Sequence, residues 1–161
     1  MLRTIYLASP LGFSTEFIGY RERIKQRLAL AGLIVYDPWD NERTEELARK
    51  HREAASINDS IGRRGAFLKL AREIGEYNEQ LIVAAGMFLA VLDGMEPDSG
   101  TVAELGFAAA LGKRCFGLRT DVRLCGDFEG LPVNLQLLRF IERSGGRMFN
   151  SVDELGRVGD T

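Results

Sequence analysis

At 161 residues, with 45% hydrophobic content and 21 basic against 23 acidic side chains for a net charge of -2, the chain has the size and composition of one ordinary globular domain with a core of its own. No basic stripe or arm stands out, which argues against nucleic acid polymers and membrane surfaces as partners. No apolar run approaches the roughly 20 residues of a membrane span. Met1, Leu2 and Arg3 lead straight into a strand pattern with no secretory h-region, so the expected location is cytoplasmic. Cys115 in an apolar run and Cys125 in a loop make neither a zinc site nor a disulfide scaffold. His51, the one histidine, stands in a charged run that reads as a solvated helix face. Acid–base chemistry here would therefore fall to carboxylates or a thiol.

Strand and helix patterns then alternate. Residues 3–8 read as a first strand, ended by Ser9, Pro10, Gly12 and Phe13. Residues 16–31 carry Phe17, Ile18, Ile24, Leu28 and Ala31 close to helical spacing, and Gly32 stops them. A second strand at 33–36 runs into the turn Asp37-Pro-Trp-Asp40-Asn41-Glu42, followed by a charged helix over 45–55. Residues 56–65, with Asn58, Gly62 and Gly65, read as a mobile surface loop before a helix over 66–85. An apolar run over 87–92 reads as a buried strand; a Pro/Gly/Ser turn and a helix over 102–111, stopped by Gly112, come after it. Residues 114–118 form a fourth strand and 119–130 an irregular polar loop. A helix opens at Leu131-Pro-Val-Asn134 and runs to 143, a short fifth strand falls at 147–149, and a weak helix follows from 153.

This alternation specifies a single α/β domain over 1–161, a three-layer sandwich around a mostly parallel five-stranded sheet of flavodoxin-like order 2-1-3-4-5. In that order the switch point lies between the first and third strands, which sets Ser9–Phe13 beside residues 93–101 in one crevice. Asp93, Glu96, Asp98 and Glu104 crowd the connection after the third strand, where such folds bind ligands. A helix beginning at Val102 would put Glu104 in its first turn, where the helix dipole keeps a carboxylate ionised. Thr101-x-x-Glu104 is equally a capping box, in which Glu104 merely satisfies a backbone amide.

Ile5-Tyr6-Leu7-Ala8-Ser9-Pro10 followed by Phe13, and Asp98-Ser-Gly100-Thr101-x-x-Glu104-x-Gly106 running on to Gly112-Lys113, resemble the nucleoside 2-deoxyribosyltransferase family. Pro38-x-Asp40-Asn41 and Leu131-Pro-Val-Asn134-Leu135 match it too, and the likeness spans residues 4–155 in the family's order. The charged segment around 51–67 is longer than in the family's smaller members. The resemblance implies covalent transfer of 2-deoxyribose between nucleobases, without cofactor or metal, in which a carboxylate attacks the anomeric carbon.

By motif position Glu104 matches the nucleophile, Asp98 the carboxylate that holds the sugar hydroxyls, and Tyr6 the tyrosine that orients the nucleophile. Phe13 matches the aromatic that packs on the base, with Ser9 and Pro10 on its loop, while Gly100 allows close approach of substrate to backbone. Asn134 and Gln136 match a segment lent by a neighbouring subunit to the 5'-hydroxyl. The expected partners are thus a nucleoside, a free nucleobase and a second copy of the chain, in a dimer-based assembly such as a tetramer or hexamer with shared active sites. Taken alone, Asp98 and Asn134 also suit helix caps, Tyr6 suits core packing, and Asp93 and Asp40 suit turns.

One departure concerns the proton for the leaving base. Family members place an aspartate just before the third strand, where this chain has Gly86. Asp40, Glu42 or Asp93 could substitute, or the substrate could be a purine that leaves after protonation by solvent. Two other activities fit the sequence. One is hydrolysis of deoxynucleoside 5'-monophosphates, with Ser9, Ser99 and Arg119 as phosphate-binding candidates. The other is nucleotide binding without catalysis.

Overall fold

The computed structural model describes residues 3–159. Its sheet holds β1 (Thr4–Ala8), β2 (Ile34–Tyr36), β3 (Met87–Val91), β4 (Arg114–Leu118) and β5 (Met148–Phe149). All neighbouring pairs are parallel and the order is β2-β1-β3-β4-β5, the flavodoxin-like arrangement. The strands are continuously apolar because helices cover both faces, and the two-residue period divides each between two cores. Tyr6, Ala8, Phe88, Ala90 and Cys115 face one way, toward α3 (Ser60–Ala84), α4 (Ser99–Ala110) and α5 (Leu135–Arg143). Ile5, Leu7, Leu89, Val91, Phe116 and Leu118 face the other, toward α1 (Ile18–Leu30) and the 3-10 helix Val152–Arg157. Gly32 and Gly112 end α1 and α4 at φ of 77° and 73°, a conformation that costs glycine nothing.

Several boundaries differ from the sequence expectation, each for a local reason. Residues 60–65 are helix rather than mobile loop. The Asp59 carboxylate caps α3 by accepting from the amides of Ile61 and Gly62, and α2 (Thr44–Ala55) packs along α3 with Lys50 and Arg43 both paired to Glu73. A good cap and tertiary packing together offset the roughly 1 kcal/mol that each helical glycine costs. α1 begins at Ile18, after 3-10 turns at Pro10–Phe13 and Thr15–Phe17. α4 begins at Ser99, three residues before Val102, because Asp98 is its cap: Oδ2 accepts from the Thr101 amide at 2.8 Å and from its hydroxyl at 3.0 Å. α5 begins at Leu135, with Asn134 as its cap. The C-terminal turns are 3-10, over Val152–Arg157. Among the described residues no helix is long and apolar enough to cross a membrane.

Candidate active site

With α4 starting at Ser99, Glu104 lies in its second turn, beyond reach of the first-turn amides. Neither the capping-box reading nor the dipole argument survives that shift. Glu104 is instead held by side chains from two other elements. The Tyr6 hydroxyl, rising from the fully buried ring on β1, donates to Glu104 Oε1 at 2.9 Å. Asn78 Nδ2, from α3, donates to the same oxygen at 3.4 Å. Burial pushes the Glu104 carboxyl above the ordinary glutamate value and the nearby Asp98 adds to that, while the bonds from Tyr6 and Asn78 pull it down. Burial, then the Glu104 charge, drives Tyr6 far upward, so it remains a protonated donor.

Glu104 stands where two cavities meet. One, of about 200 Å³, is lined by Ser9, Phe13, Trp39, Asp98 and Gly100 as well as Asn78 and Glu104. The other, of about 380 Å³, runs between α3 and α4 past Gly75, Ile82 and Phe107 and shares Asn78, Gly100 and Glu104. The crevice at the switch point thus joins the β1 loop to the start of α4 as the topology requires. Asp98 both caps α4 and lines the cavity. A Cβ on Gly100 would come within 3.1 Å of Asp98 Oδ2, so the glycine keeps that carboxylate in place. Pro10 opens the 3-10 turn that carries Phe13, and Phe13 is 77% exposed, with its ring edge-on to Trp39 at 4.5 Å between centroids.

Other residues suggested by sequence are not brought to this crevice. Asp93 turns toward β4, where it accepts from the Tyr20 hydroxyl at 3.0 Å and from the amides of Thr120 and Asp121 at 2.5 and 2.8 Å. Glu96 is exposed, so the four acidic side chains do not converge. Asp40 is held by Lys25 at 2.5 Å, and that pairing keeps its carboxyl low. Glu42 lines a separate cavity with Tyr77 and Tyr36. Asn134 caps α5 through the Gln136 amide and donates to Asp127, and both Asn134 and Gln136 are exposed. The buried Arg119 guanidinium donates through its two terminal nitrogens to the carbonyls of Leu92, Gly94 and Arg123. His51 is exposed beside the Phe67 ring, and burial pushes the Cys115 thiol up to about 11.

Asn78 and Trp39, both in the crevice, received no site role from sequence. Asn78 had a signal, since it lies between Ile74 and Ile82 at helical spacing on an otherwise apolar stripe of α3. Trp39 had little: it sits in a turn far along the chain, and only the sheet order brings it to Ser9 and Phe13.

The fold and crevice together define a class: a flavodoxin-like α/β protein with a tyrosine-held carboxylate at the topological switch point. The chain belongs to the nucleoside 2-deoxyribosyltransferase family, whose model matches residues 5–136. A conserved protein from Enterococcus faecalis V583 is similar in structure, with a TM-score of 0.67 at 21% identity over 99% of this chain and 98% of that one. The 2-deoxyribosyltransferase of Bacillus psychrosaccharolyticus superposes with a TM-score of 0.60 at 19% identity, covering 95% and 90% of the two chains. A 2-desoxiribosyltransferase from Leishmania mexicana gives 0.60 at 26% identity, covering 92% and 91%. Comparison with curated protein sequences finds no match.

Proposed function

We propose that this chain transfers 2-deoxyribose from one nucleobase to another through a glycosyl-enzyme on Glu104. The observation that carries the reading is a half-buried carboxylate with both recorded donors on Oε1, opening on a cavity that also holds Phe13 and Asp98. Oε2 is the oxygen that attacks C1' of the sugar. The C1'–N bond breaks with its electrons leaving on the base, which takes up a proton. A nitrogen of the incoming base then attacks C1', the carboxylate departs, and the new nucleoside loses its proton. Each transfer passes through an oxocarbenium-like state that the Glu104 charge stabilises at close range. Asp98 accepts from a sugar hydroxyl. Tyr6 and Asn78 aim Glu104 and offset its burial, so that the ionised form is available to attack.

Asp40 and Asp93 are engaged elsewhere and Glu42 faces a separate cavity, which favours a purine leaving group protonated from solvent over a dedicated carboxylic acid on these residues. Among the described residues no Arg or Lys lines either cavity beside Glu104, and Arg119 is held by backbone carbonyls, which favours a free 5'-hydroxyl over a 5'-phosphate. Asn134 and Gln136 do not line the two cavities beside Glu104. In this reading they serve a neighbouring copy's site, in a dimer-based assembly that shares its active sites.

The test is incubation with deoxyinosine and adenine, with products separated by chromatography. Deoxyadenosine is the expected product. Release of sugar phosphate from a deoxynucleoside monophosphate would favour the hydrolase instead, and no reaction with either would leave a binding domain. A mass increase equal to deoxyribose less one water on the intact protein, absent in Glu104→Ala, checks the covalent step.

A further inference from the structure

We propose that Trp39 is the fixed wall of the nucleobase subsite, that Phe13 is its exposed partner, and that the pair selects purines over pyrimidines. The inference rests on the deoxyribosyl-transfer reading for its substrate class, and on the following geometry for the residue. Trp39 is fastened at both ends. Its indole N–H donates to the Ser9 carbonyl at 2.8 Å, and its backbone N–H donates to Asp37 Oδ1 at 2.9 Å. Asp37 is itself 1% exposed and held by Arg21 at 3.3 Å, so the turn carrying the indole is anchored in the protein interior.

Gly12 completes the seat. A Cβ there would fall 1.9 Å from the indole ring, so the tryptophan occupies space that any other residue at position 12 would claim. The next residue, Phe13, is 77% exposed and stands at 72° to the indole. Two rings at that angle form a corner: a flat base stacked on one presents its edge to the other. The anchored ring is the platform, and the exposed one stands against the edge of the base. Because the indole is bicyclic, a purine covers more of it than a pyrimidine does, and stacking strength follows overlap.

Trp39 is the chain's one tryptophan, so its fluorescence reports the subsite directly in the wild-type protein. Titration of the full chain with adenine is expected to quench the emission saturably, at lower concentration than cytosine does. In the exchange assay Trp39→Ala should raise KM for the acceptor base on the order of 10- to 100-fold, the range of a lost base–aromatic stack, with Trp39→Phe between it and wild type. Gly12→Ala, which displaces the indole without removing it, should shift the emission and raise KM as well. A structural role alone would instead lower the melting temperature of the Trp39 variants while KM of the folded fraction stayed at the wild-type value, and that result overturns the proposal. So does exchange that proceeds while adenine leaves the emission unchanged. Quenching by adenine without any exchange retains the subsite and sinks the transfer reading, while neither quenching nor exchange sinks both.

Discussion

Tyr6 with Glu104 and Tyr20 with Asp93 are two tyrosine–carboxylate pairs at the carboxyl ends of one sheet, with hydroxyl–carboxylate distances of 2.9 and 3.0 Å. Asp93 has both oxygens occupied: Oδ1 accepts from the Thr120 and Asp121 amides, Oδ2 from Tyr20, and the Thr120 hydroxyl reaches both. Glu104 has its recorded donors on one oxygen, and burial holds its carboxyl above the ordinary range. Saturation by backbone amides makes the first a clamp between the β3 and β4 loops. An oxygen with no donor among the described residues, beside a cavity, suits the second to the role of nucleophile proposed above. What separates them is the number of donors that the surrounding backbone supplies.

The comparison breaks most sharply at Glu104 itself. Glu104→Gln is expected to lower exchange by at least about 10³-fold, as loss of a nucleophile does. The sign for stability is opposite to that of an ordinary ion pair. Because the folded-state carboxyl titrates above its unfolded value, its contribution is most favourable below the unfolded pKa and is lost as pH rises through the folded one. At neutral pH the Gln variant should therefore melt no lower than wild type, as differential scanning would show. A clear drop in melting temperature with exchange intact would return Glu104 to a structural role.

Asp93→Ala should behave in the reverse way. Stranding two backbone amides and the Tyr20 hydroxyl is expected to cost about 1–3 kcal/mol in denaturant unfolding, with the exchange rate of the folded protein retained. Tyr6→Phe sharpens the contrast further. It removes a bond that lowers the Glu104 pKa, so the acid limb of kcat/KM, already above the ordinary glutamate value in wild type, should move to higher pH. Activity on the plateau is expected to fall about tenfold, the equivalent of one hydrogen bond. Asn134→Ala gives the smallest stability change, about 1 kcal/mol from a lost helix cap. If it serves a neighbouring copy's site, the variant also loses exchange, and mixing it with Glu104→Gln should restore exchange in hybrid assemblies.

Much of this was legible before folding. Apolar strands alternating with helices led to the parallel sheet and its order, and Ser9, Phe13, Asp98 and Glu104 meet at the switch point that this order dictates. The start of α4 was misjudged because Asp98-Ser-Gly-Thr reads as a turn as readily as a cap, and three residues moved Glu104 out of the first turn. The glycines at 62 and 65 suggested a loop, whereas the Asp59 cap and the ion pairs to α2 carry the helix through them. Motif position separated Glu104 from Asp93, which read as a turn former or a substitute proton donor; the Thr120 and Asp121 amides that tie Asp93 down come from a loop that sequence does not place beside it.

Local chemistry along the chain thus determined which segments become strands and helices, and the connectivity of those segments determined where the crevice lies. Tertiary structure alone decided which carboxylate stays incompletely bonded, that Asn78 reaches it, and that Trp39 fills the space over Gly12. The reason is that periodicity and caps act over a few residues, whereas the bonding of a side chain counts donors that arrive from elements distant in sequence.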